Sequence, residues 1–192
     1  MPRRTDTRAR MLDKAATLFH AQGYHATGLN QLLSEGGLPK GSLYFHFPGG
    51  KEQLAVEALA ISGGHVCQLL RETLAAAPDP ASALRTAIDE LGRVLTESDY
   101  RQGCPLSTVA LDAAADSEPI RLACAEGFGS WQAVIEEALT GAGLDAKKAA
   151  SLATVTVSSV TGALILARTQ RDLAPLHAVA NHLCATLDKE LS

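Results

Sequence analysis

The sequence predicts an all-α chain, an N-terminal three-helix domain followed by a larger C-terminal helical domain. Three observations predict it. Apolar residues recur at three- and four-residue spacing along most of the chain, Ala and Leu dominate while aromatics make up 4%, and Gly and Pro clusters separate segments of helical length without an alternating strand pattern between them. With 192 residues, 46% of them hydrophobic, the chain is long enough to bury a core.

Helix one is expected over about 5 to 22, where Met11, Leu12, Ala15, Ala16, Leu18 and Phe19 share a face and Gly23 is a natural stop. Thr27 is the expected N-cap of helix two, which turns Leu29, Leu32 and Leu33 inward and ends at Gly36-Gly37. Pro39 suits the first position of helix three, because its missing N–H would have had no partner there. Helix, glycine turn and helix give a helix-turn-helix outline. On helix three, Leu43 and Phe47 lie four apart and face inward, while Lys40, Gly41, Tyr44 and Phe45 fall on the opposing surface. Pro48-Gly49-Gly50 breaks the chain, and Lys51 opens a fourth helix running to about residue 77. Gly63-Gly64 predicts a kink or a close helix contact within it. Beyond Pro78-Asp79-Pro80, helices are expected over about 81–98, 104–115, 118–140, 146–169 and 172–190, and the small residues at 158 to 163 allow another helix to approach closely.

The formal net charge of −4 is unevenly spread. Residues 1 to 51 carry seven Lys/Arg against three Asp/Glu, net +4, and the remainder is net −8. A basic head on an acidic body suits a polyanion partner, although a solvated charged terminus would give the same balance. Cys67, Cys104, Cys124 and Cys184 form neither a zinc spacing nor a small disulfide framework. That usage, the lack of an apolar signal core and the short, Ser/Thr-interrupted run at 155 to 167 predict a cytoplasmic protein with no membrane association.

Gly50-Lys51 is not a phosphate-binding loop, since that motif needs Gly where Phe45 stands and Ser or Thr where Glu52 stands. His20 and His25, like His177 and His182, are five apart and miss the four-residue spacing of a helical metal site. No nucleophile elbow, carboxylate pair or Cys-His signature is present, so neither catalytic residues, a metal nor a cofactor is expected. Lys40 can neutralise a phosphate or reach a guanine edge, Gly41 lets a helix backbone approach DNA, Tyr44 can donate to a phosphate, and Lys51 adds charge beside unpaired amides. Each could singly be a packing residue. As a linked set they point to nucleic acid.

From "ARMLDKAATLFHAQGYHATGLNQLLSEGGLPKGSLYFHF" to "KEQL" the chain resembles the TetR family of transcriptional repressors. Leu18-Phe19, Gly23-Tyr24, Thr27, Lys40-Gly41-Ser42-Leu43-Tyr44, Phe47 and Lys51-Glu52 occur in the family's order. The resemblance implies DNA contacts at Thr27, Lys40, Gly41, Tyr44, His46 and Lys51, with Lys40 and Gly41 nearest the bases. Pro39 stands where the family frequently has Ser or Thr, which implies one phosphate contact fewer. The one-residue-longer "FPGGKEQL" and the downstream "GCPLSTVALDAAADSEPIRLACAEGFGSWQAVIEEAL" resemble the LmrA/YxaF-like subgroup.

The resemblance further implies a helix-turn-helix domain at 1–50 and an effector-binding and dimerisation domain at 51–192. The expected partners are double-stranded operator DNA, a small apolar or amphipathic effector, and a second copy joined through the last two helices. Cys104, Leu111, Phe128 and Trp131 are the candidate effector-lining residues; plain core packing is the alternative for each. Two other classes stay open at this point: a helical small-molecule-binding module without a DNA role, and a helical enzyme using a cysteine.

Overall fold

The computed structural model describes residues 4–36 and 41–192, with the backbone alone at residues 4–6 and 42. Among the described residues there are nine helices and no strand: α1 (Arg4–Gln22), α2 (Leu29–Glu35), α3 (Ser42–His46), α4 (Gly50–Ala76), α5 (Pro80–Glu97), α6 (Ser107–Ala113), α7 (Glu118–Gly141), α8 (Ala146–Gln170) and α9 (Ala174–Leu191). Two compact units divide the chain: Met1–Gly63 with Pro105–Gly127, and Gly64–Cys104 with Phe128–Ser192. This partition groups α6 and the start of α7 with the head, which a cut after residue 50 does not.

In the first unit, α1 buries Met11, Leu12, Ala15, Leu18 and Phe19, as its spacing requires. Gly23 ends it at φ +86, with its N–H donating to Phe19 O at 2.9 Å. Thr27 does not cap α2. The N-cap is Gly28, and the Thr27 hydroxyl turns back to donate to Gly23 O at 2.6 Å while accepting from Gln22 Nε2 at 3.1 Å. A short hydroxyl beside a turn can serve either its own helix or the preceding one; here the preceding one wins.

Pro39, the expected first residue of helix three, lies outside the described residues, as does Lys40. From Gly41 onward the expectation holds: Leu43 and Phe47 are buried, whereas Tyr44 and Phe45 are 60% and 62% exposed. The Arg8 guanidinium covers the Phe47 ring at 4.8 Å and pairs with Glu57. Gly50 opens α4 at φ +67, and Gln53 Oε1 reaches back to accept from the Gly49 N–H at 2.9 Å. The helix runs unbroken through Gly63-Gly64. The close contact is at Gly63, where an added Cβ would lie 3.6 Å from Gly127 Cα; at Gly127 an added Cβ would meet Leu106 at 2.5 Å.

In the second unit, α9 packs on α5 and α8. Ala81, Leu139, Leu144, Ala149, Cys184 and Leu187 form a shared core from four of its helices and one connection. Asp79 and Asp145 cap α5 and α8 by accepting backbone N–H groups, and Pro80 sits in the first turn of α5. The described non-glycine residues with positive φ are Asp99, Tyr100 and Arg171. They meet at one corner, where the Arg171 guanidinium pairs with Asp99 and lies 5.2 Å from the Tyr100 ring centroid. Tertiary contact there offsets an unfavourable backbone conformation. All four cysteines are buried, and the Cys184 thiol donates to Ala81 O at 3.3 Å.

Candidate nucleic-acid interface

The surface of α3 is unusual for so short a helix. Two large aromatics, Tyr44 and Phe45, are left in water although burying each would be worth about 1.5–3 kcal/mol. Neighbouring Gly41 is exposed, lies in the right-handed helical region at φ −79, and no described atom would come within 4 Å of a Cβ added to it. Among the described residues nothing therefore crowds a side chain at 41. Gly50 differs: its positive φ needs glycine, and a Cβ would stand 3.3 Å from Tyr44 Cε1, so its bare backbone gives the Tyr44 ring its seat. His46 is half-buried, with its ring edge-on to Phe45 at 5.0 Å.

Lys51 occupies the first turn of α4, where the Gly50 N–H donates to Phe47 O at 2.8 Å and the Gly49 N–H to Gln53 Oε1 at 2.9 Å. Its Nζ lies 4.2 Å from the Tyr24 ring centroid. Burial lowers the ammonium pKa below the ordinary lysine value, and the Asp112 carboxylate opposes that shift. Tyr24 packs against Phe19 at 5.9 Å and edge-on to His25 at 5.3 Å between centroids.

This corner is tied down from a distant part of the chain. Asp112 Oδ2 accepts the His25 N–H at 2.7 Å, Asp116 Oδ2 lies 3.8 Å from His25 Nε2, and the Ser117 hydroxyl donates to Glu52 Oε1 at 2.7 Å. Gly23 permits the first contact, because a Cβ on it would be 2.9 Å from Asp112 Oδ2.

Of the six residues expected at DNA, Gly41, Tyr44, His46 and Lys51 thus fall on or at the edge of one surface, and Lys40 is outside the described residues. Thr27 is withdrawn from it. Its side chain is fully buried, its hydroxyl donates to Gly23 O, and its N–H donates to Tyr24 O at 3.2 Å, so it has no donor left for a phosphate. Spacing could not show this, since the same residue caps or back-bonds according to the turn it follows. Tyr24 and Asp112 are the contributors that residue-type reasoning passed over.

The four effector-lining candidates divide between the two units. Phe128 and Trp131 meet edge-on at 5.3 Å in the second unit, where Cys104 is also buried. Leu111 belongs to the first unit and is 79% exposed, which removes it from the lining of an enclosed pocket. The second unit also holds a cavity of about 20 Å³ bordered by Leu70, Leu74, Ile135, Leu139 and Leu187, with Thr73 and Thr156 as its polar groups. That is room for about one water. Among the described residues no His/Cys/Asp/Glu group could hold a metal ion.

Two family descriptions match the chain: "Bacterial regulatory proteins, tetR family" at residues 11–58, and "Transcriptional regulator LmrA/YxaF-like, C-terminal domain" at residues 80–182. The uncharacterized HTH-type transcriptional regulator YxaF of Bacillus subtilis (strain 168) is 37% identical over 190 residues, covering 99% of this chain and 100% of that protein. HTH-type transcriptional regulator LmrA of the same organism is 38% identical over 171 residues, covering 89% and 91%. Among solved structures, a TetR transcriptional regulator from Legionella pneumophila superposes with a TM-score of 0.84 at 21% identity, covering 97% of this chain and 98% of that one.

Proposed function

The chain belongs to the TetR family of bacterial transcriptional regulators, with an LmrA/YxaF-like C-terminal domain, and from that premise we propose that it is a cytoplasmic, homodimeric repressor released from its operator by a small apolar effector. Residues 1–50 read DNA, and residues 51–192 carry the effector site and the dimer contact. The observation that carries the DNA-binding surface is the outward α3 face: exposed Tyr44 and Phe45 near Gly41, which no described atom crowds, next to Lys51 on the first turn of α4.

Lys40, Gly41, Tyr44, His46 and Lys51 make the contacts, with Lys40 at a base edge and Tyr44 and Lys51 at phosphates. Lys40→Ala is expected to weaken operator binding at least tenfold, from about 1–3 kcal/mol per lost contact, while the dimer and the melting temperature stay as they are. A gel-shift titration on the DNA upstream of the protein's own gene measures it. Normal affinity in that variant would count against the assignment.

Dimerisation through α8 and α9 is supported by α8 itself. The helix is apolar and long enough by composition to cross a membrane, yet only 28% of its most apolar window is buried within the chain. Val155, Ile165 and Leu166 are 46%, 44% and 52% exposed, and Ser158 and Gly162 lie between them at helical spacing. A second copy covers this face without the desolvated loop ends that a membrane would impose.

For the effector, the second unit offers the Phe128–Trp131 pair and an apolar cavity whose lining does not include it. At about 20 Å³ the cavity is too small for an organic ligand, so occupation requires side chains to move, and the repacking favours a state that cannot span two half-sites. Trp131 is the chain's single tryptophan. An apolar compound that releases the operator should shift its fluorescence in parallel with release. Release with an unchanged emission spectrum would place the effector elsewhere.

A further inference from the structure

We propose that Tyr24 is a positioning residue for DNA binding: its ring is the platform that holds the Lys51 ammonium where a phosphate oxygen meets it. This rests on the reading of Lys51 as a phosphate contact and adds a residue that does not itself touch DNA. A lysine on an open helix end samples many rotamers, and immobilising it costs up to about 2 kcal/mol. Here the ammonium sits 4.2 Å from a ring centroid, well inside the distance at which a cation is held over an aromatic face. Part of the ordering cost is then met before DNA arrives.

Two features keep the platform in place and make it matter. The ring packs against Phe19 and His25, and the His25 backbone is anchored by Asp112 at 2.7 Å, so Tyr24 is held by contacts other than Lys51. The same Asp112 carboxylate attracts the Lys51 ammonium. Glu52, beside Lys51 in sequence, accepts from Ser117. Without the ring, Lys51 is free to turn toward Asp112 and away from DNA. Burial and Glu52 both raise the Tyr24 hydroxyl above the usual phenol range, so the ring stays neutral and attracts the ammonium through its face alone.

The test is a double-mutant cycle on the full-length protein, with binding to operator DNA followed by fluorescence anisotropy at several KCl concentrations. Lys51→Ala is expected to reduce the slope of log affinity against log salt by about 0.9 per subunit. Tyr24→Leu is expected to weaken binding about tenfold per dimer when Lys51 is present, and to cause no further loss in the Lys51→Ala background. Tyr24→Phe, which keeps the ring, should bind as the unaltered protein does. Equal losses from Tyr24→Leu in both backgrounds would make the tyrosine a structural residue and overturn the proposal alone. An unchanged salt slope in Lys51→Ala would overturn the phosphate contact and the proposal with it. Should Tyr24→Leu fail to fold, the Lys51 ε-methylene proton resonances of the unaltered protein decide: upfield ring-current shifts that persist on operator DNA are expected, and unshifted resonances overturn the proposal.

Discussion

Replacing Val155 and Ile165 together by aspartate is expected to turn the dimer into a monomer and to weaken operator binding by about 10²–10⁴, the gain that linking two binding events gives. Both positions are nearly half exposed within one chain, so the substitutions disturb little of its internal packing. In a two-fold contact each appears twice, and four carboxylates would be brought together in an apolar seam. Desolvating them without partners costs several kcal/mol each. Sedimentation and gel-shift titrations should therefore change together, and the thermal melt should fall and lose its dependence on protein concentration. A dimer that survives both substitutions would show that α8 is covered by something else. The consequence for binding follows from spacing, because two recognition helices reach successive major grooves only when held about 34 Å apart.

The helices and their buried faces were legible because they depend on period. Leu43 and Phe47 inward against Tyr44 and Phe45 outward follows from spacing alone, and the structure reproduces it. The same holds for the stops at Gly23 and Gly36 and for the close contact at Gly63. Thr27 was not legible, since capping forward or bonding backward uses the same hydroxyl and depends on where Gln22 and Gly23 stand. Nor was the anchoring of the head by Asp112, which joins residues 87 positions apart. Leu111 failed for a related reason: an apolar residue on a seven-residue helix carries too little periodicity to say which face is covered. Alanine-rich helices such as α8 present small apolar groups on several faces, so a lining such as Leu70, Ile135 and Leu187 emerges only from the packing.

Gly23→Val and Gly41→Ala are expected to fail in opposite ways, and the contrast separates a glycine required by the fold from one required by a partner. Gly23 stands at φ +86, where a β-branched residue is strained, and its Cβ would lie 2.9 Å from Asp112 Oδ2. The backbone penalty of about 1–2 kcal/mol and an overpacking penalty of about 1–3 kcal/mol add to a loss of about 2–5 kcal/mol. The displaced carboxylate also releases the His25 N–H and with it the turn that carries Tyr24, so stability and operator affinity should fall together in urea and anisotropy titrations. Gly41, at φ −79 with no described atom near its missing Cβ, accepts alanine without strain. Its melt should stay the same or rise slightly, because alanine restricts the unfolded chain more than glycine does. Operator affinity should nevertheless fall at least tenfold, since the added methyl occupies space that only the DNA would fill. A lowered melt in Gly41→Ala, or an unchanged one in Gly23→Val, would reverse the assignment of which glycine belongs to the fold.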